Sequence, residues 1–76
     1  MATIFKSQKD LAYALIEVID KYWGFQLEDE ELVNQLKDLC DKNQNLLFKE
    51  NQYTTMIRQR LGAKRLNLLT YILKNK

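Results

Sequence analysis

The sequence contains no histidine and no proline, one cysteine and two glycines among its 76 residues. Without histidine, the chain lacks the usual general base and the partner that activates a nucleophilic serine. Cys40 alone can form neither an internal disulfide nor the usual structural zinc site. We therefore expect a protein that is not an enzyme and that uses no cofactor, no metal and no small-molecule substrate.

Long apolar runs are also missing. No segment approaches the roughly 18 consecutive apolar residues that a membrane-spanning helix needs. The first six residues lack the basic start and the apolar run of a signal peptide. These features predict a soluble, cytoplasmic protein with no membrane partner.

The residues that are present are those of a folded protein, with 46% hydrophobic and 29% charged side chains. A chain of this length has room for one hydrophobic core, which predicts a single helical domain over residues 1–76. A core this small leaves little stability in reserve, so self-association through a remaining apolar surface is an open alternative.

Apolar residues recur three and four positions apart through nearly the whole chain, which predicts an all-α fold, a small bundle of three to four helices. The first helix is expected to start at Ser7, whose hydroxyl can cap it, and to stop at a left-handed Gly24. Its wide apolar face predicts a position at the centre of the core. That face comprises Leu11, Ala12, Leu15, Ile16, Val18, Ile19, Tyr22 and Trp23.

The second helix is expected to open at the four carboxylates of residues 28–31, which favour the positive end of a helix dipole. Its inward stripe is Leu32, Val33, Leu36, Leu39 and Cys40. The polar residues 43–45 favour a turn. Residues 46–48 are too few for a helix of their own, and we predict that they form a short apolar plug between the second and third helices.

A third helix is predicted from about residue 52 to 61 and a fourth from about residue 63 to 73, with Gly62 between them. Their inward residues are Tyr53, Met56, Ile57 and Leu61, then Leu66, Leu69, Ile72 and Leu73. A glycine inside a helix costs only about 1 kcal/mol. One bent helix from residue 52 to the C-terminus is therefore the alternative.

Charge is distributed unevenly along the chain. Residues 1–50 carry six lysines and ten acids, whereas residues 51–76 carry three lysines, three arginines and no acid. The first part has a net charge of −4 and the second of +6, which the overall charge of +2 conceals.

The candidate site is a set of four cations around Gly62, namely Arg58, Arg60, Lys64 and Arg65. The first two fall near the C-terminal end of the third helix, where cations complement the dipole. The other two fall in the first turn of the fourth helix, where the dipole disfavours them. Free amides at a helix start together with basic side chains bind phosphate or carboxylate, so we expect an anion-binding surface. The alternative is an ordinary solvated face.

These features favour a small interaction or regulatory module. We expect its basic C-terminal segment to meet a negatively charged protein partner or a second copy of the chain. The alternative is nucleic-acid binding by the same segment, as a degenerate helix-turn-helix. In that case only Lys64, Arg65, Asn67 and Thr70 are available to contact base edges.

The order of these motifs resembles a known family. The motifs are Leu15 and Ile19 followed by Tyr22-Trp23, the acidic helix start before Leu32, Leu47-Phe48, and Leu61-Gly62-x-Lys64-Arg65-Leu66. Their order is similar to that in short uncharacterised helical proteins of Gram-positive bacteria and their mobile elements. The resemblance covers nearly the whole chain. That family has no assigned activity or cofactor. The resemblance implies a bacterial, cytoplasmic setting and singles out the segment that follows Gly62.

Overall fold

A computed structural model describes residues 4–75. Its elements in chain order are α1 (Gln8–Trp23), α2 (Asp29–Lys42), α3 (Gln44–Leu47), β1 (Phe48–Lys49), β2 (Gln52–Tyr53) and α4 (Thr55–Asn75). The predicted all-α bundle is confirmed, and a very short two-stranded hairpin is added to it. Among the described residues, no helix has both the length and the apolar character needed to cross a bilayer.

Helix α1 begins as the sequence indicates and buries most of the predicted apolar face, but the prediction was wrong for Trp23, which is 43% exposed at the end of the helix. Ser7 is its N-cap, and the hydroxyl accepts a hydrogen bond from the Asp10 backbone N–H at 3.2 Å. One face of the helix is buried and contacts both α2 and α4, which confirms its central position. The fully buried members of that face are Leu11, Ala12, Leu15 and Ile19.

The end of α1 differs from the prediction. Gly24 has a φ of −85°, which any residue adopts, and the left-handed residue is Phe25 with a φ of 65°. The backbone N–H of Gln26 donates to the Lys21 carbonyl at 2.8 Å, and that of Phe25 to the Tyr22 carbonyl at 3.0 Å. This is a Schellman motif, whose left-handed position usually holds glycine. The expected left-handed Gly24 was therefore placed one residue too early.

Helix α2 starts at the predicted acidic run. Glu28 is the N-cap, and the Glu31 carboxylate accepts the Glu28 backbone N–H at 3.0 Å in a capping box. The Tyr22 hydroxyl donates to Asp29 at 2.7 Å and links the end of α1 to this start. The inward stripe is confirmed, with Val33 half-buried and the other members buried.

Asn43 is a buried polar residue at the end of α2, with 1% of its surface exposed. Its side-chain amide donates to the Leu39 carbonyl at 2.8 Å, and its side-chain oxygen accepts the Phe5 backbone N–H at 2.9 Å. Because buried polar groups need partners, these bonds fix the N-terminal segment against the end of α2. The turn predicted over residues 43–45 is confined to Asn43, and residues 44 and 45 begin α3.

The apolar plug is present as a packing feature, but its backbone is not irregular. Leu47 is fully buried, and Leu46 and Phe48 are half-buried against the core. Leu46 and Leu47 lie in the single helical turn α3, and Phe48 begins β1. The expectation that this segment is too short to be helical was therefore wrong for Leu46 and Leu47.

A β-hairpin occupies the segment where the third helix was expected to begin. Phe48 pairs with Tyr53 and Lys49 with Gln52, and the Phe48 and Tyr53 rings stack at 5.1 Å. Between the strands, residues 50 and 51 both have left-handed backbones, with φ of 53° and 68°. Two such residues make the type I′ turn that suits a two-residue hairpin. The predicted helix therefore starts three residues late, at Thr55.

Helix α4 is broken at Gly62, whose φ of 78° and ψ of 171° are not helical. The predicted break is confirmed, and the alternative of one bent helix is excluded. After the break the chain returns to the hairpin, where Tyr53 and Thr70 share a hydroxyl hydrogen bond of 2.7 Å. Of the predicted inward residues of α4, Ile57, Leu61, Leu69 and Ile72 are buried and Met56, Leu66 and Leu73 are half-buried.

Candidate functional site

The four predicted cations lie on α4 on both sides of the Gly62 break. Arg58 and Arg60 precede it, and Lys64 and Arg65 follow it. Arg65 is half-buried and the other three are exposed. The three arginines contact three different parts of the molecule.

Arg60 lies over an exposed aromatic ring of α1. Its guanidinium carbon is 5.7 Å from the centroid of the Tyr13 ring, and the Lys9 ammonium is 5.9 Å from the same centroid. The Tyr13 side chain is 48% exposed. Cations close to a tyrosine ring are attracted by its quadrupole. We call this cluster of Lys9, Tyr13 and Arg60 the basic face.

Lys9 belongs to this cluster and was missed by the sequence analysis. A signal was present, because Lys9 and Tyr13 are four residues apart and such residues share one side of a helix. The contact with Arg60 joins α1 to a residue 47 positions further along the chain, and no local pattern indicates it.

Arg65 is engaged within the molecule. Its Nε and Nη2 atoms donate to the two carboxylate oxygens of Asp20, each at 3.1 Å, and Nη1 donates to the Leu61 carbonyl at 3.1 Å. The guanidinium also lies 5.8 Å from the Trp23 ring centroid. These hydrogen bonds use three of the five N–H groups of the guanidinium, so Arg65 has fewer donors to offer an external anion than an exposed arginine has. The structure gives this arginine the role of joining the start of the second α4 segment to the end of α1.

Arg58 lies at the other end of α1, beside the hairpin. It lines a polar cavity of about 330 Å³ with Gln8, Lys49 and Thr55, and it also borders an apolar cavity of about 480 Å³. Lys49 adds a second cation and Glu50 an acid at the polar cavity. The cavity contains no residue of the basic face.

The arginines therefore form a row along α1 and do not converge on one pocket. Arg58 lies beside Gln8, Arg60 beside Tyr13 and Arg65 beside Asp20. With a rise of 1.5 Å per residue, the α1 residues at the two ends of this row are about 18 Å apart. The surface suits an extended partner better than a single small anion.

The one thiol of the chain has no access to a substrate. Cys40 is buried in α2, and burial, with a smaller contribution from Asp41, raises the pKa of the thiol to about 12. A protonated, buried thiol is a poor nucleophile. Within residues 4–75, no three acidic or cysteine side chains gather closely enough to hold a metal ion.

Comparison with known proteins identifies a family. A family model described as "Conserved hypothetical protein" matches residues 2–74. No curated protein and no solved structure matches the chain.

Proposed function

We propose that this chain, which belongs to the family of conserved hypothetical proteins, is a non-enzymatic binding module. Its partner is a protein with a negatively charged surface, and the contact is made through the basic face on α1 and α4. Arg58 and Lys64 lie on either side of Arg60 along α4 as further exposed cations. Bacterial origin and a cytoplasmic location remain predictions from the sequence.

The arrangement of Tyr13 is the observation that carries the proposal. An exposed tyrosine with cations from two different helices combines a rigid apolar ring with positive charge. Tyrosine and arginine are enriched among the residues that dominate binding energy at protein interfaces. The segment that supplies Arg60 contains no acid that would repel an acidic partner.

Nucleic-acid binding by a helix-turn-helix has less support. Of the four residues available to read bases, Arg65 is bound to Asp20, and Thr70 shares a hydrogen bond with Tyr53. Lys64 and Asn67 remain exposed. Two exposed side chains are few for reading base edges, which generally takes three or four from one helix.

The absence of histidine and the buried state of Cys40 support a role without catalysis. The usual general base is missing from the sequence, and the single thiol stays protonated at neutral pH. The basic face also lies on the outer surface of two helices, whereas small-molecule sites are generally concave.

Nuclear magnetic resonance of the ¹⁵N-labelled full chain tests the proposal. We would titrate the chain with poly-L-glutamate, as a stand-in for an acidic protein surface, and separately with random duplex DNA, each at low and moderate salt. We expect poly-L-glutamate to shift the amide signals of residues 9, 13 and 60. Arg60→Gln should weaken this binding several-fold, because one of the two cations at Tyr13 is lost.

Lys42→Gln is the matched control, because it removes one positive charge from the far end of α2. Equal losses in Arg60→Gln and Lys42→Gln would show attraction by net charge alone and would contradict the basic face. Tighter binding to DNA, with an affinity that falls steeply and linearly with salt on a log–log plot, would replace the proposed function by nucleic-acid binding.

A further inference from the structure

Phe25 combines two unfavourable features in one residue. Its side chain is 96% exposed, and its backbone is left-handed with a φ of 65°. A bulky side chain disfavours this backbone region, which glycine or asparagine adopts readily. Strained residues of this kind persist where the surrounding structure holds them, as the two hydrogen bonds of the Schellman motif do here, and they cluster at functional sites. The ring itself is held away from the protein and is accessible to a partner.

The surroundings of Phe25 are aromatic and acidic. The ring borders a groove of about 820 Å³ that is also lined by Trp23, whose side chain is 43% exposed. Glu28, Asp29 and Glu30 form the other side of the groove. A surface that binds Phe25 must therefore offer an apolar recess with cations beside it.

Such a recess exists on the same chain, at the junction of the hairpin and the second α4 segment. A cavity of about 480 Å³ lies there, lined by the apolar side chains of Phe48, Tyr53 and Leu73. Two exposed cations, Arg58 and Lys74, lie at the same cavity. We call it the hairpin cavity. The Phe25 of the same molecule does not fill it, since that ring is almost fully exposed.

We propose that two copies of the chain associate by inserting Phe25 of one copy into the hairpin cavity of the other. The carboxylates beside Phe25 then face Arg58 and Lys74 of the second copy. Opposite charges around an apolar centre fix the orientation of such a contact. Residues 1–50, with a net charge of −4, supply the carboxylates, and residues 51–76, with a net charge of +6, supply the cations. The contact is head-to-tail, and it closes into a dimer if both pairs of surfaces meet at once.

This inference goes beyond the proposed function, because it uses none of Lys9, Tyr13 and Arg60 and shares only Arg58 with the cations that lie near them along the chain. Failure of one is therefore distinguishable from failure of the other. A second copy is favoured over an unrelated basic partner because the chain itself carries a recess of the required chemistry.

Sedimentation velocity of the full chain from micromolar to millimolar concentration tests the association. We expect the wild-type mass to rise with concentration. Phe25→Asn removes the ring and keeps a residue that tolerates the left-handed backbone, so it should stay folded and monomeric. Arg58→Glu combined with Lys74→Glu reverses the charge at the hairpin cavity and should also stay monomeric.

Mixing the two variants is the decisive step. The Phe25→Asn chain retains its cavity and the double variant retains its Phe25, so one intact contact can form between them. We expect a one-to-one complex that neither variant forms alone. Lys9→Glu with Lys64→Glu makes the same change in net charge outside the cavity and should associate as the wild type does.

Three results would overturn the inference. These are a wild-type chain that stays monomeric at millimolar concentration, a Phe25→Asn chain that associates as strongly as the wild type, and a mixture that gives no complex. Loss of association in the Lys9 and Lys64 variant would instead assign the contact to the basic face, and would equally overturn the insertion of Phe25.

Discussion

The chain turns after α1 at the left-handed Phe25 and within α4 at the left-handed Gly62, and these two residues could hardly differ more in type. After α1 the left-handed position is Phe25, although Gly24 stands next to it, whereas α4 breaks at Gly62. Gly62 has a backbone that is almost exclusive to glycine. At Phe25 the residue type opposes the conformation, and the ring lies in solvent. The difference teaches that the residue type at Gly62 follows from the fold, whereas at Phe25 the fold dictates the backbone and leaves the choice of an exposed aromatic side chain to the proposed contact with a second copy.

Gly62→Ala should have the largest effect on stability. The backbone at φ 78° and ψ 171° disfavours any Cβ atom, and strain in this region costs about 1–3 kcal/mol. A Cβ there would meet nothing within 4 Å, so the loss is conformational and not steric. We expect urea unfolding to show a free energy of unfolding lower by about 2 kcal/mol. An unchanged midpoint would remove Gly62 from the comparison.

Phe25→Asn should change stability in the opposite direction and by less. The substitution removes the strain of an aromatic residue with a left-handed backbone. It hardly changes the surface buried by the folded chain, because the ring is already 96% exposed. We expect the free energy of unfolding to rise by about 1 kcal/mol when it is measured on dilute, monomeric protein. A loss of stability would show that the Phe25 ring is supported by its own chain.

The ion pair between Asp20 and Arg65 connects the two turns, since Asp20 lies near the end of α1 and Arg65 lies three residues beyond Gly62. Both side chains are partly exposed, at 48% and 29%, which limits the gain from their attraction. A double-mutant cycle with Asp20→Asn and Arg65→Gln should give a coupling energy of about 0.5 kcal/mol. A coupling of zero would mean that the two turns are stabilised independently.

Gly24→Ala should have the smallest effect and is the control for Gly62→Ala. Its φ of −85° suits alanine, and the new Cβ would lie 3.3 Å from the Asp20 carbonyl oxygen. The slight crowding opposes the gain from a less flexible unfolded chain, so we expect a change within about 0.5 kcal/mol. A loss as large as that of Gly62→Ala would show that glycine is needed at both turns.

The sequence could predict those features that depend on local pattern. The start of α1 at Ser7, the acidic start of α2, the buried stripes and the break at Gly62 all follow from helical periodicity, capping and the backbone preferences of glycine. The match to a conserved hypothetical family likewise agrees with the resemblance seen in the motifs.

The remaining features depend on tertiary contacts or on unusual residues. Glutamate at position 50 is an uncommon turn residue, so the hairpin gave no clear signal. The left-handed backbone falls on Phe25, although the adjacent Gly24 would adopt it more readily. The ion pair of Arg65 joins residues 45 positions apart, and only the folded chain shows that this predicted anion ligand is already paired.

The most direct test of whether Phe25 serves a contact with a second copy is to measure the stability and the mass of the Phe25→Asn chain side by side with those of the wild type. We expect the two quantities to move in opposite directions, with unfolding shifted to higher urea at low concentration and the mass held at that of a monomer at high concentration. A variant that is less stable and still associates like the wild type would contradict this role.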